Sequence, residues 1–251
     1  MNIRTAIATL GALAVLAPAA LAQTTGRAVD VRLRAAYSIG ATAPIGLPAT
    51  IRSIESFRLT PNFVVGASVS CPLSPLWGLR TALLAENKGM DGEVVTKGYS
   101  MRLAMDDDEM EGRYTGHVRQ KVRQVMLTVP VQLTAEVSPR VQLRAGPYVS
   151  LLLSRDFSGE AFSGYLRKDD PTGPRVVMGS ADDERATYDF SADMRRWQLG
   201  VTAGADWLLG RRWGLSADLS WGLTGIFRSG FHTVEQTLYP IYGTIGVFYQ
   251  L

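Results

Sequence analysis

Apolar and polar residues alternate with a period of two along most of the chain. In the clearest segment, valine, leucine or alanine fills every odd position from 125 to 137, while glutamine, threonine and glutamate fill most even ones. This alternation predicts a β-strand with one apolar and one polar face. Eight segments follow the pattern, at residues 31–41, 57–73, 77–86, 125–137, 141–153, 197–207, 213–223 and 241–251.

The connections between these segments alternate in length. Short turns at 74–75, 138–140 and 210–212 carry proline, serine or glycine, as hairpin turns do. Long polar stretches occupy residues 42–56, 87–120, 155–194 and 228–238. Several segments approach the ~9 to 11 residues that a tilted strand needs to cross a bilayer. The pattern therefore predicts an all-β fold, an eight-stranded antiparallel up-and-down transmembrane β-barrel with short periplasmic turns and long external loops.

Alternation alone does not decide which face points outward, because a soluble barrel of the lipocalin type also alternates. Charges of both signs on the polar face favour a narrow lumen in which they pair, and aromatic residues near strand ends suit a membrane interface. The charged residues are Arg34, Arg80, Glu136, Arg144, Asp206 and Asp218, and the aromatic ones are Trp77, Trp197, Trp207, Trp213 and Tyr249. We favour the membrane barrel, with a periplasmic soluble barrel as the alternative.

The N-terminus has the pattern of a secretory signal peptide. Arg4 precedes a short apolar run, and Ala20-Leu21-Ala22 is a small-x-small cleavage pattern. We expect residues 1–22 to be removed and residues 23–251 to form the barrel domain. The apolar content of 46% and mean hydropathy of +0.05 come with no run of 18 apolar residues. A net charge of +3 without a basic block gives no reason to expect nucleic-acid binding.

Three short motifs resemble successive strands of the PorT-like outer-membrane β-barrel family. They are the stretches 82–89 (ALLAENKG), 125–131 (VMLTVPV) and 144–150 (RAGPYVS). The C-terminal pattern Thr244-x-Gly246-x-x-Tyr249-x-Leu251 is similar to the signal read by the barrel assembly machinery. The resemblance implies an eight-stranded barrel in a Gram-negative outer membrane, in contact with lipid and lipopolysaccharide. One member of that family is associated with protein secretion.

Candidate chemistry is sparse. The histidines, His117 and His232, fall in or beside predicted loops without a serine or cysteine nucleophile at a recognisable spacing. The acidic run 106–109 with Glu111 could supply oxygen ligands to Ca²⁺ but lacks the spacing of an EF-hand loop, and residues 182–184 have the same acidic character. We read all of them as solvated loop residues. The prediction is therefore no catalytic, cofactor or metal site.

Three local features need their own interpretation. Arg119, Lys121 and Arg123 fall on what becomes the apolar face of the fourth segment. Either that strand extends above the bilayer, where basic groups could meet anionic head groups, or a bulge resets the register at Gln124; we favour the extension. Pro130 and Pro147 lie inside predicted strands and predict bulges there. Cys71 is predicted to act as a small hydrophobe on the apolar face.

An eight-stranded barrel is only wide enough for side chains, so a general diffusion pore is not expected. The sequence predicts a structural or interaction role displayed by external loops, in envelope integrity, adhesion or as a secretion accessory, with a possible protein partner at the loops. The alternatives are an outer-membrane hydrolase or acyltransferase with a site at the loop rim, or a narrow channel.

Overall fold

The computed structural model describes residues 29–46, 48–105, 108–168, 172–231, 233–234 and 236–251. The predicted signal peptide lies outside the described residues. The strands are β1 (Asp30–Pro44), β2 (Ile51–Leu59), β3 (Asn62–Pro72), β4 (Trp77–Met105), β5 (Asp108–Ser138), β6 (Val141–Lys168), β7 (Arg175–Met178), β8 (Ala186–Asp189), β9 (Trp197–Leu208), β10 (Trp213–Gly222) and β11 (Leu238–Gln250). Single 3₁₀ turns occupy Asp182–Glu184 and Ser191–Asp193. No helix among the described residues is long and apolar enough to cross a membrane.

Eight of the strands close into a ring of antiparallel pairs. The order around the ring is β1, β3, β4, β5, β6, β9, β10 and β11, and β11 pairs back to β1. The turns β3–β4, β5–β6 and β9–β10 lie at one rim, so every short connection is on the same side. This confirms the predicted eight-stranded antiparallel barrel. The extra strands β2, β7 and β8 pair with upper parts of β4 and β6.

An apolar belt surrounds the lower part of the barrel. Leucine, valine and isoleucine side chains at outward positions, such as Leu133, Leu199 and Ile245, are about half exposed. Trp77, Trp207, Trp213 and Tyr249 lie at the rim of short turns, while Trp197 and Trp221 lie at the opposite edge of the belt. From Trp197 to Trp207, steps of about 3.3 Å tilted by about 40° span roughly 25 Å, the height of a bilayer-crossing belt.

Above the belt the two faces of the sheet exchange their chemistry. The outward positions of β4 and β5 change from apolar to Asp91, Glu93, Arg119, Lys121 and Arg123, while Met90, Val118 and Val122 on the inward face are buried. The β4–β5 register is unchanged from Leu84↔Thr128 to Thr96↔Gly116, so no slip causes the exchange. Its cause is the solvent. Lipid surrounds the belt, whereas water surrounds the strands above it and drives apolar side chains inward.

We call the part above the belt the extension. It comprises β2, β7, β8 and residues 87–105, 108–124 and 154–168 of β4, β5 and β6. The predicted long loops at 87–120 and 155–194 are wrong, because most of these residues continue as paired strands. Strand β2 also occupies part of the predicted loop 42–56, and the predicted segment 57–73 is divided at Thr60–Pro61. Charged outward residues made these strands resemble polar loops.

The predicted bulges at Pro130 and Pro147 are wrong. The β5–β6 register is the same at Pro130↔Tyr148 and Leu133↔Ala145, and the β6–β9 register is unbroken at Pro147↔Val201. The ladders lose pairs beside each proline, which has no N–H to donate, and resume in the same register. Register shifts occur instead at Val125/Met126, Thr115/His117, Glu136/Ser138 and Thr96/Tyr99.

The bulges of the extension coincide with residues of positive φ. Gly98 (φ 66°), Gly116 (φ 149°) and Ser163 (φ 49°) lie at the shifts beside Thr96 and His117. A Cβ on Gly116 would approach the Gly164 Cα to 2.6 Å, so the two strands pass too closely for a side chain. Beyond Gly98 the inward parity of β4 changes, and Met101 and Leu103 become buried.

Arg119, Lys121 and Arg123 remain on the outward face of one continuous strand. The predicted extension of the fourth strand is therefore confirmed, and the alternative of a reset register at Gln124 is wrong. A bulge does occur at this height, but its extra residue, Leu153, belongs to β6. Cys71 is fully buried near the end of β3, as a small apolar side chain.

Amide hydrogen exchange distinguishes a strand extension from loops. We expect amides of residues 87–96 and 116–124 in the lipid-embedded barrel to exchange at least about a hundredfold more slowly than in an unstructured peptide, because each is bonded in a ladder. Mass spectrometry of peptides from these segments measures the rate, with residues 211–212 of the β9–β10 turn as the fast-exchanging reference. Exchange as fast as in that turn would contradict the extension.

Candidate functional site

Ion pairs fill the lumen at the level of the belt. At their centre, the Asp206 carboxylate of β9 accepts from Arg80 at 2.5 Å and Arg32 at 2.9 Å, and it also contacts Arg144. Arg144 reaches Asp218 of β10 at 2.6 Å, and Asp218 also pairs with Arg34. Five strands thus contribute to one connected network across the barrel.

A glycine makes the contact between Arg144 and Asp218 possible. Gly204 of β9 lies between them, opposite Arg144 in the β6–β9 register and opposite Asp218 in the β9–β10 register. A Cβ at Gly204 would collide with the Asp218 carboxylate. Because Gly204 has no side chain, the Arg144 guanidinium has room to cross β9 and reach Asp218.

A second charged group lies at the top of the lumen. Lys88 is 2% exposed and its ammonium lies 3.3 Å from Glu86, with Tyr148 and Tyr242 rings 5.5 Å away on either side. Both a carboxylate and aromatic faces favour a cation there. Above Lys88, the buried side chains Val122 and Phe157 belong to an apolar core that continues into the extension, and Met126 of the same core lies opposite Glu86.

The free space within the charged part of the lumen is small. Its cavity has a volume of about 60 Å³, enough for a few water molecules, and is lined by the charged network. The predicted lumen residues Arg80, Arg144, Asp206 and Asp218, with Arg34, are brought together. Glu136 lies at the periplasmic rim and accepts from the Gln142 amide instead.

Sequence reasoning missed three members of the lumen. Arg32 shares the even-numbered face of β1 with Arg34, and that parity was the available signal. Glu86 is the last residue of the predicted segment 77–86, and Lys88 fell in the predicted loop 87–120. Continued parity along β4 would have placed Lys88 inward with Arg80 and Glu86.

His117 lies on strand β5 rather than in a loop. Its Nδ1 is 3.4 Å from Glu93, and its ring stacks on Phe162 with centroids 5.5 Å apart. No serine, threonine or cysteine among the described residues forms a hydrogen bond with this ring. His232 lies outside the described residues.

The acidic runs lie at exposed ends of the extension. Asp106 and Asp107 are outside the described residues, and Glu109 and Glu111 are exposed on β5. Asp182 pairs with Arg185 at 3.0 Å in a 3₁₀ turn. The described residues contain no group of three histidine, cysteine or acidic side chains that could hold a metal ion.

The interior of the extension is aromatic. Phe157 contacts Phe227 with ring centroids 4.8 Å apart, and Phe231 packs on Phe227 at 4.7 Å. Tyr188 donates its hydroxyl to the Arg119 carbonyl at 3.1 Å, and burial raises the pKa of this phenol far above its ordinary value. The phenol is therefore neutral at physiological pH. The extension has a core of its own, as a water-exposed fold requires.

Replacing the central acid of the lumen tests its role. Asp206→Asn removes the charge that Arg32, Arg80 and Arg144 share, and we expect the free energy of unfolding to fall by about 3 to 5 kcal/mol. Urea unfolding followed by heat-modifiable gel migration measures it. The matched control is Asp182→Asn, whose side chain is 93% exposed and whose ion pair with Arg185 is open to water. Equal effects of the two substitutions would contradict a structural network in the lumen.

Comparison with known proteins agrees with this geometry. The family described as "Outer membrane protein beta-barrel domain" matches residues 21–228. No curated protein sequence is significantly similar to the chain.

Three solved barrels illustrate the structural likeness. Ail of Yersinia pestis, solved with the heparin analogue sucrose octasulfate, is 8% identical over 89% of this chain and 97% of its own, with a TM-score of 0.37. OprG of Pseudomonas aeruginosa is 13% identical over 90% and 97%, with a TM-score of 0.38. CarO2 of Acinetobacter baumannii is 11% identical over 88% and 99%, with a TM-score of 0.39.

At these identities and TM-scores the three likenesses say nothing about function. The family match covers most of the chain, and the apolar belt with its aromatic edges is what a barrel of that family requires. The chain therefore belongs to the outer membrane protein beta-barrel domain family, and its location is the outer membrane.

Proposed function

We propose that this protein is a non-catalytic interaction protein, in which the barrel is the membrane anchor and the extension is the surface that contacts partners. One observation carries the proposal: the lumen is filled, whereas the extension is a paired sheet with its own core and a charged outer face. A conduit would need an open lumen, whereas a contact surface needs ordered side chains above the membrane.

The filled lumen argues against the alternative of a narrow channel. Asp206 and its arginine partners bridge the barrel, and the apolar core that includes Val122 and Phe157 lies above them. An ion would have to separate buried pairs and then cross an apolar layer, both at a large cost in free energy. Among the described residues, the enzyme alternative is supported only by His117, whose contacts are Glu93 and Phe162.

Lipopolysaccharide is the lipid partner that we propose for the part of the extension nearest the belt. Arg119 pairs with Glu93 and Glu160, and Arg123 pairs with Asp91, so their charges are largely compensated. Lys121 lies between them, is exposed, and has no ion pair with another described residue. Its height, directly above the belt, is where phosphate groups of the outer leaflet lie.

A protein partner fits the upper extension. The exposed side chains of Arg102, Glu111 and Arg113 cover the outward surface near the β4–β5 tip. The motif resemblance supports a PorT-like assignment within the family, and with it a secretion-accessory role ahead of adhesion or envelope integrity. Export through the signal peptide 1–22 and insertion of residues 23–251 by the barrel assembly machinery are parts of the same proposal.

Planar-bilayer recording tests the closed lumen. We expect the purified protein to show no stepwise conductance, because buried ion pairs bridge the lumen and an apolar core lies above them. Heat-modifiable migration of the same sample controls for folding. Reproducible current steps from folded protein would favour the channel alternative instead.

Photo-cross-linking in the native cells tests the two contact surfaces. A benzophenone amino acid at Lys121 should yield lipopolysaccharide adducts, and the same residue at Arg113 should yield a protein adduct of discrete mass. Val131, exposed on the apolar belt, is the matched control and should yield only lipid-chain adducts.

The two positions can contradict the proposal separately. The absence of a lipopolysaccharide adduct at Lys121 would contradict the proposed lipid contact. Failure to obtain any protein adduct at Arg113, when Lys121 reacts, would leave an anchored barrel without a displayed partner and would overturn the interaction role.

A further inference from the structure

The wall of the extension has an opening between β1 and β2. β1 pairs with β3 only as far as Ser38↔Asn62, and above this point residues 39–44 pair with β11 alone. β2 pairs only with β4. Among the described residues, these two edges therefore have no strand partner on the sides that face each other. We call the opening the window; its lower end is Thr60–Pro61 and its upper end lies at residues 45–46 and 48–50.

The strand break below the window is built from side-chain amides. Asn62 donates from Nδ2 to the Gly89 carbonyl at 3.1 Å and accepts from the Gly89 N–H at 2.8 Å, as a backbone pair would. Asn87 donates to the Pro61 carbonyl at 3.0 Å and accepts from the Phe63 N–H at 2.8 Å. These bonds hold the chain to β4 where it bends, so β2 follows β4 and leaves β1.

Behind the window lies an apolar pocket of about 150 Å³. Its walls include Ile54 and Phe57 of β2, Met90 and Met101 of β4, and Phe157 and Phe190 of the aromatic core. No charged side chain of the described residues lines it. It is distinct from the charged lumen cavity, which lies lower in the barrel.

Two apolar side chains in the outer wall of this pocket are left exposed by the described residues. Ile54 and Phe57 pair with Val94 and Gly92, whose side of β4 faces the interior, yet they are 55% and 46% exposed. They stand above the belt, so lipid chains do not surround them. Burying this apolar surface away from water would be favourable by roughly 25 cal/mol per Å².

We propose that the pocket binds a small uncharged apolar molecule that enters from solution through the window. An apolar cavity of about 150 Å³ accommodates a molecule of the size of benzene. The lack of charged groups in the lining excludes an ionic ligand, since a buried charge would have no partner. A lipid chain is disfavoured as the occupant because Thr60, Asn62 and the charged residues Asp91 and Arg123 separate the pocket from the belt.

Methionine methyl NMR tests this binding in the full-length mature protein. The protein, labelled with ¹³C-methyl methionine and embedded in nanodiscs of deuterated lipid, is titrated with benzene. We expect saturable shifts of the Met90 and Met101 methyl signals, which belong to the lining. Met178 and Met194 are buried elsewhere in the core and should not shift in parallel.

A filled pocket provides the matched variant. A Cβ on Gly92 has nothing nearer than 3.8 Å and points into the pocket, so Gly92→Leu should fill it and weaken benzene binding at least about tenfold. Gly243→Leu is the control, because Gly243 has equal room but lies on the lipid-facing side of β11. Ile54→Trp fills the pocket from the neighbouring strand β2 and replaces Gly92→Leu if that variant does not fold.

Three results would overturn the proposal. Shifts that grow linearly and equally at all methionines would show partition into the bilayer. Unchanged binding in folded Gly92→Leu or Ile54→Trp would place benzene elsewhere. Contacts between the Met90 methyl and chains of protonated lipid, seen without benzene, would identify the occupant as a lipid.

Discussion

The change of solvent at the outer edge of the membrane governs the whole structure. In hydrocarbon, every backbone polar group must be paired within a closed ring and the outward side chains must be apolar. A few residues higher, water surrounds the same strands and the apolar side chains must turn inward. β4 and β5 meet both demands without a change in their mutual register at the boundary, because Val125 and Arg123 are consecutive outward residues of one strand. β6 crosses the boundary with one extra residue, Leu153, in a bulge. The charged lumen, the aromatic core and the exposed band of ions are all consequences of that exchange.

Ion pairs in the lumen provide partners for the charged side chains on the inward face of the belt. Its polar side chains cannot reach bulk water, so each charge needs a partner inside a ring of eight strands. Asp206 serves three arginines and Asp218 serves two, which links β1, β4, β6, β9 and β10. Such a network contributes less to stability than to registry, because wrong strand offsets would leave charges unpaired. The same ion pairs also fill the lumen.

Most of the belt could be predicted from the sequence, because its outward residues alternate with polar ones at every strand. Parity also placed Arg80, Arg144, Asp206 and Asp218 in one lumen. The extension was missed because charged outward residues, such as Arg119 and Glu93, have the composition of a loop. The sequence did carry a sign of the extension at Val118 and Val122, where apolar residues occupy even positions instead of the odd positions that are apolar in the belt. The pocket could not be predicted. It depends on β2 leaving β1, and that follows from amide bonds between Asn62, Asn87 and residues far apart in sequence.

The continuity of the long strands also determines what the extension can do. β4, β5 and β6 contain 29, 31 and 28 residues and pass through both solvents as single strands, so the extension has a fixed orientation relative to the membrane. A partner at the β4–β5 tip would therefore meet a surface that is already ordered and would lose little entropy on binding. β2 and β1 are the exception, because their ladder stops at Asn62. Where the ladder stops, the apolar interior of the extension is open to water, and for that reason the window rather than the lumen gives access to the inside of this barrel.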